Sequence, residues 1–211
     1  GLSYAEIAEK GGGILNSAQK LQNSTEDELY EDALVRLNEL VKMGTGAIEI
    51  KSGYGLTLDA EIKILRVIKR LKENSEVTIK ATFLGAHALP KEFKDNKQGY
   101  MDLVINEMLP KVAVEKLADY VDIFCEKGYF TVDDTQRLLK AANELGFPSK
   151  THVNQFNAIG GVKASVDLGA LSVDHLEEMA DEDYESLKGS NCMPTILPSC
   201  SFFLGIPYSP A

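Results

Sequence analysis

Along the chain, short apolar runs rich in β-formers alternate with longer stretches whose apolar residues recur every three or four positions. The short runs lie near Gly46–Ile50 (GAIEI), Thr78–Leu84 (TIKATFL), Val121–Glu126 (VDIFCE), Ser149–Val153 (SKTHV), Leu171–His175 (LSVDH) and Met193–Leu197 (MPTIL). Each predicts a strand. Between them, Asp27–Met43, Leu58–Lys72, Gly99–Leu117, Val132–Leu145 and Ala158–Leu168 predict helices with one buried face. Asp59, ahead of AEIKILRVIKRL, and Thr131, ahead of VDDTQRLLKAA, read as helix caps with acidic first turns. The strands are nearly continuous in apolar residues, as expected where protein covers both faces of a sheet. Strand–helix alternation of this kind predicts a parallel α/β architecture with right-handed crossovers. A closed (β/α)₈ barrel needs eight strands and about 250 residues. Six strands therefore imply an open doubly wound sheet or part of a barrel. No linker, repeat or low-complexity tract interrupts them.

The unusual polar residues fall at the ends of these runs. Lys51 and Ser52 follow GAIEI, and Gly85 and His87 follow TIKATFL. Cys125 and Glu126 end VDIFCE, His152 ends SKTHV, Asp174 and His175 end LSVDH, and Pro198, Ser199 and Cys200 follow MPTIL. In a parallel α/β protein all of these lie at the carboxyl edge of the sheet, where active sites are built. The chain has three histidines, and all three fall there. One strand-end histidine is more often a hydrogen-bonded structural residue than a ligand. Three of three at one edge reverse that preference and suit Zn²⁺ or Fe²⁺. The chain lacks HxH and HExxH, so spacing alone gives only a weak metal signal.

Other motifs carry less. KSGYGL at 51–56 could expose N–H groups to a phosphate, yet it lacks the GxxxxGK[ST] pattern and reads equally well as a tight βα turn. The glycines at 11–13 read as a loop, and Gly160–Gly161 as a turn or a close-packing point. Cys125 sits in an apolar strand with no basic neighbour and reads as a buried inert thiol. Ser199–Phe203 (SCSFF) forms no GxSxG elbow, which leaves serine hydrolase chemistry little support. The acidic run 181–185 reads as a solvated helix start.

Composition narrows the partners. A net charge of −10 argues against nucleic acid and anionic membrane surfaces. No run approaches the roughly 18 apolar residues that span a membrane. The first residues show no basic region followed by an apolar one, so no signal peptide is expected. The cysteines, Cys125, Cys192 and Cys200, are odd in number and lack CxxC spacing, which fits a reducing cytoplasm.

Taken together, GGGI, IEIKSGYGL, TFLGAHALP, VDIFCEKGYF, THVNQF, SVDHLEE and PTILPSCSFFL resemble, in that order, the imidazolonepropionase family of the amidohydrolase superfamily. The resemblance runs from Gly11 to nearly the last residue. It implies a (β/α)₈ TIM barrel of amidohydrolase type, with residues 1–211 forming a partial barrel over roughly strands 2 to 7. It implies hydrolysis of the cyclic amide of 4-imidazolone-5-propanoate to N-formimidoyl-L-glutamate, using one divalent metal, zinc or iron. It also implies a cytoplasmic small-molecule enzyme that is a homodimer at full length. By the same resemblance His152 is a metal ligand and His175 is the catalytic histidine that assists proton transfer. Tyr54, His87 and Gln155 are substrate-binding positions. Gln155 stands where some branches carry Glu; a glutamine cannot act as general base but can hydrogen-bond the ring.

The chain also departs from the family. The HxH pair, the arginine that follows it, the strand-8 aspartate and the small β-rich domain have no counterpart in these residues. An internal segment of a longer enzyme is the expected explanation. An open barrel would expose sheet edges and apolar surface. The alternatives are a non-catalytic α/β fragment with one histidine ligand, or another amidohydrolase acting on a cyclic amide.

Overall fold

A computed structural model describes residues 14–210. The glycine run at 11–13 lies outside the described residues. The chain divides into two compact units, one ending at Tyr120 and one beginning at Val121.

In its described residues the first unit has helices α1 (Ile14–Asn23) and α2 (Glu26–Lys42), then strand β1 (Ala47–Lys51), helix α3 (Leu58–Glu73) and strand β2 (Thr78–Ala86). Strands β1 and β2 pair in parallel, with Ala47 opposite Thr78 and Lys51 opposite Thr82. Helix α3 buries Leu65, Ile68 and Leu71, the apolar stripe of its 3.6-residue period. Its cap differs from expectation. Thr57, with extended backbone, accepts the Ala60 N–H, while Asp59 sits inside the first turn, where its charge complements the helix dipole. Helix α1 has no counterpart among the predicted elements. Its signal was the spacing of Ile14, Ala18 and Leu21, of which Ile14 and Ala18 are buried.

The helix expected over 99–117 is present in three pieces: α4 (Lys97–Leu103), a π-helical turn (Val104–Met108) and α5 (Leu109–Glu115). Pro110 has no N–H to give, and the Leu109 N–H reaches back five residues to the Val104 carbonyl. Asp119 then locks the unit. Its N–H donates to the Ala81 carbonyl at 2.7 Å, and its carboxylate accepts the Ala81 N–H at 2.8 Å and Lys72 Nζ at 3.0 Å.

The second unit is a parallel sheet of β3 (Tyr120–Cys125), β4 (Lys150–Val153), β5 (Ser172–His175) and β6 (Met193–Ile196) in sequential order. Helices α6 (Val132–Glu144), α7 (Gly161–Asp167) and α8 (Asp181–Leu187) connect them, and α9 (Pro198–Leu204) follows. Thr131 caps α6 as expected and forms a reciprocal capping box with Asp134. The acidic 181–185 run opens α8 as expected, but it is not wholly solvated: Asp183 is buried, where it accepts the Ala180 N–H and the Asn154 side-chain N–H. Helix α9 was not foreseen; it is short and begins at a proline. The glycine pair does both things proposed for it. Gly160 has a φ of 90°, and a Cβ on Gly161 would lie 2.9 Å from both Cys125 Sγ and Val153 Cγ1.

Coverage on both faces holds for β5, for nearly all of β3 and for residues 81–86 of β2, and is incomplete in β1, β4 and β6. Strand β1 is at most half-buried, and every residue of β6 is exposed. Met193 in β6 is 64% exposed, and Phe202 and Phe203 in α9 are 78% and 87% exposed. Among the described residues β6 pairs only with β5, so its outer side meets no strand. No helix of the described residues is long and apolar enough to cross a membrane.

Two outcomes follow from this packing. Gly161→Ala should destabilise the protein by about 1–3 kcal/mol through overpacking, read by denaturant unfolding. Burial pushes the Asp119 carboxyl up, but the Ala81 N–H, Lys72 and Lys80 outweigh it and hold its pKa below the usual value. A lowered carboxylate pKa adds stability above the unfolded pKa of about 4 and loses it as pH falls through the folded one. Asp119→Asn should therefore be less stable than the parent at neutral pH, with the gap closing in acid. A gap independent of pH would show that charge is not the cause.

Candidate metal centre and strand-end residues

The apolar strand β3 contains one ionisable residue in its middle, Asp122, fully buried. A buried carboxylate is costly unless paired. Its partner is His152 on β4, whose Nδ1 lies 2.9 Å from one carboxylate oxygen and 3.1 Å from the other. Strand register brings this about. His152 pairs with Phe124, two residues beyond Asp122, and with Asp174 on β5, so these side chains share one face of the sheet. One donor atom each from Asp122, His152 and Asp174 lie within 4.8 Å of one another. The Ser172 hydroxyl holds Asp174 at 2.8 Å.

His175 follows Asp174 directly and in a regular strand would point the other way. It does not continue the strand geometry: its φ is +92° and that of Leu176 is +64°. Its ring reaches within 5.2 Å of the His152 ring, centroid to centroid. A left-handed backbone at a non-glycine residue is the kind of strain that gathers at functional sites. Behind it, His175 Nδ1 lies 3.6 Å from Glu177 Oε2, and the Ser209 hydroxyl donates to the His175 carbonyl at 2.7 Å. Burial raises the Glu177 pKa, partly offset by the Ser201 hydroxyl on its other oxygen at 2.8 Å.

Gln155 lies on the loop after β4, with Nε2 donating to Cys200 Sγ at 3.6 Å. Glu126 ties this loop down. Its carboxylate accepts the Phe156 N–H at 2.9 Å, the Asn157 N–H at 3.3 Å and Asn157 Nδ2 at 2.9 Å. Asn154 takes the left-handed backbone that Asn tolerates, and its side chain donates to Asp183 at 2.8 Å.

Tyr54 and His87 belong to the first unit. Their rings meet edge to face, 5.0 Å between centroids, and His87 Nδ1 bonds the Gly53 carbonyl at 3.0 Å. The structure thus brings Tyr54 and His87 together in one unit and His152 and His175 together in the other, whose loop after β4 carries Gln155 against Cys200. Sequence reading passed over Asp122 and gave Asp174 no role. The available signal for Asp122 was an acid inside a run otherwise fit for full burial.

No protein-family model matches the chain. Curated relatives do. Imidazolonepropionase of Christiangramia forsetii is 65% identical over all 211 residues, that of Flavobacterium johnsoniae 59% identical over the same span, and that of Shewanella woodyi 47% identical over 204 residues. Along its whole length this chain is similar to imidazolonepropionases. It spans about half the length of these relatives, 51% of the first two and 50% of the third. Among solved structures, the adenine deaminase of Arthrobacter aurescens matches with a TM-score of 0.69 at 14% identity, over 96% of this chain and 61% of that one. A zinc-bound adenosine deaminase from Xanthomonas campestris matches with a TM-score of 0.63 at 11% identity, over 99% of this chain and 47% of that one. At such identities the likeness concerns fold alone. The fold is that of part of an amidohydrolase-type (β/α)₈ barrel.

Burial pushes the Cys125 thiol up to about 11. Native protein treated with iodoacetamide at neutral pH should therefore be labelled at Cys200 and spared at Cys125, as read by peptide mass spectrometry. Labelling of Cys125 at the rate of a free thiol would contradict its burial under Gly161.

Proposed function

We propose that the chain carries part of the active site of a metal-dependent hydrolase that opens 4-imidazolone-5-propanoate to N-formimidoyl-L-glutamate. The observation that carries this reading is the 65% identity to an imidazolonepropionase along the whole chain. The buried Asp122–His152 pair and the re-aimed His175 at the strand ends support it. The residues fit one divalent ion, zinc or iron. Imidazole and carboxylate are the donor types such ions take. The zinc bound by the deaminase of the same fold makes zinc the first metal to try.

With Nδ1 engaged by Asp122, the nitrogen His152 would give the metal is Nε2. Asp122 acts behind it, fixing tautomer and ring orientation as carboxylates do behind metal-bound histidines. Asp174 is the nearest further oxygen donor. A bound metal of this kind supplies an activated water and a polarised carbonyl. The remaining roles fall to side chains. His175 passes a proton to the leaving ring nitrogen. Gln155 hydrogen-bonds the ring without acting as a base. Tyr54 and His87 hold the substrate's ring and carboxylate.

Ring opening is followed by formation of N-formimidoyl-L-glutamate, and metal uptake by calorimetry with zinc alone. His152→Ala should abolish zinc binding while the circular dichroism spectrum is kept. Asp122→Asn should weaken metal affinity about 10–100-fold. His175→Asn should keep the metal and lower kcat by roughly 10²–10⁴. Zinc held by His152→Ala, or turnover by it, would remove His152 from the ligand set.

A further inference from the structure

The loop between β1 and α3, residues 52–56, folds around one buried side chain that the proposed reaction does not use. Glu61, on α3, is fully buried. Its Oε2 accepts the Gly53 N–H at 2.9 Å, and its Oε1 accepts the Gly55 N–H at 2.7 Å and the Leu56 N–H at 2.9 Å. The loop path is one that few sequences adopt. Gly53 has a φ of 103°, and a Cβ there would lie 2.7 Å from the Leu84 carbonyl oxygen. Leu56 has a φ of 59°. Burial raises the Glu61 pKa, and the Ser52 hydroxyl and the three N–H donors offset part of that rise.

N–H groups converging on one point are how loops hold phosphates and carboxylates. Here the anion belongs to the protein. The grip continues beyond the loop: the same Gly53 whose N–H meets Glu61 gives its carbonyl to His87 Nδ1, and the His87 ring packs on Tyr54. We infer that Glu61 is a positioning residue, a built-in anion that fixes residues 52–56 and, through Gly53, sets Tyr54 and His87 for substrate. This rests on the proposed function only for what those two side chains hold.

The test uses the 211-residue chain, with Glu61→Ala and Glu61→Gln variants. Three quantities are read: amide hydrogen exchange at Gly53, Gly55 and Leu56, the His87 ring nitrogen resonances, and affinity for imidazole-4-propanoate as a stable probe. Glu61→Ala should speed exchange at all three amides, on the order of tenfold each for a lost hydrogen bond. It should also shift the His87 Nδ1 signal and weaken probe binding. Added acetate, which fits the space and charge removed, should reverse all three effects, whereas chloride should not. Glu61→Gln keeps one acceptor oxygen, so it should speed exchange at Gly53 while largely sparing Gly55 and Leu56. If Glu61→Ala does not fold, the Glu61→Gln pattern decides alone. Unchanged exchange and an unmoved His87 signal in Glu61→Gln, or the absence of acetate rescue in a folded Glu61→Ala, would overturn the inference. Parent protein that fails to bind the probe, with exchange and rescue as expected, would instead remove the proposed substrate and leave the positioning role standing.

Discussion

Buried carboxylates that accept main-chain N–H groups hold the strand-end loops of this chain. Glu61 takes three such groups from the loop after β1, and Glu126 takes those of Phe156 and Asn157 after β4. Asp183 takes the Ala180 N–H and the Asn154 side chain. Loops placed at the top of a parallel sheet cannot use the ladder to satisfy their amides, and unpaired buried amides are costly. A carboxylate answers several at once, and each of its bonds is charge-assisted. The candidate site residues Tyr54 and Gln155 sit on loops fixed in this way.

The metal-centre chemistry grows from the same economy of buried charge. Asp122 is buried in the sheet with His152 across from it and the Ile123 N–H on one oxygen at 2.7 Å, and the His152 pairing engages Nδ1 and leaves Nε2 as the nitrogen to offer a metal. The left-handed backbone at His175 turns a residue that regular pleating would send to the opposite face. Regular strands bring the candidate ligands onto one face, and a local break in regularity adds the proton-transfer candidate.

Much of this was legible in the sequence. The six strands of the described residues fall within two residues of the runs that predict them, because apolar β-formers bounded by turn residues leave little freedom. His87, His152 and His175 stood out because all three histidines of the chain fall at the ends of apolar runs, whereas Tyr54 and Gln155 were singled out by the resemblance to the imidazolonepropionase family. What escaped depends on information no local window holds. The π-helical turn needs the missing Pro110 N–H to be weighed against five-residue spacing. Asp122 acquires its role from strand register, which sets His152 beside it. Glu61 reads as one more acid in a helix until the loop folds back over it. The bare face of β6 reflects what lies beside it in space, and an apolar run says nothing of its neighbours.

The strap at Glu61 grips backbone and leaves side chains alone. Its hold on Gly53, Gly55 and Leu56 makes no use of the Tyr54 side chain, which is 39% exposed. The path of the loop and the chemistry it displays are therefore separately inherited. Position 54 can be rewritten over evolutionary time, or by an engineer seeking a different ring or acid, without renegotiating the fold beneath it.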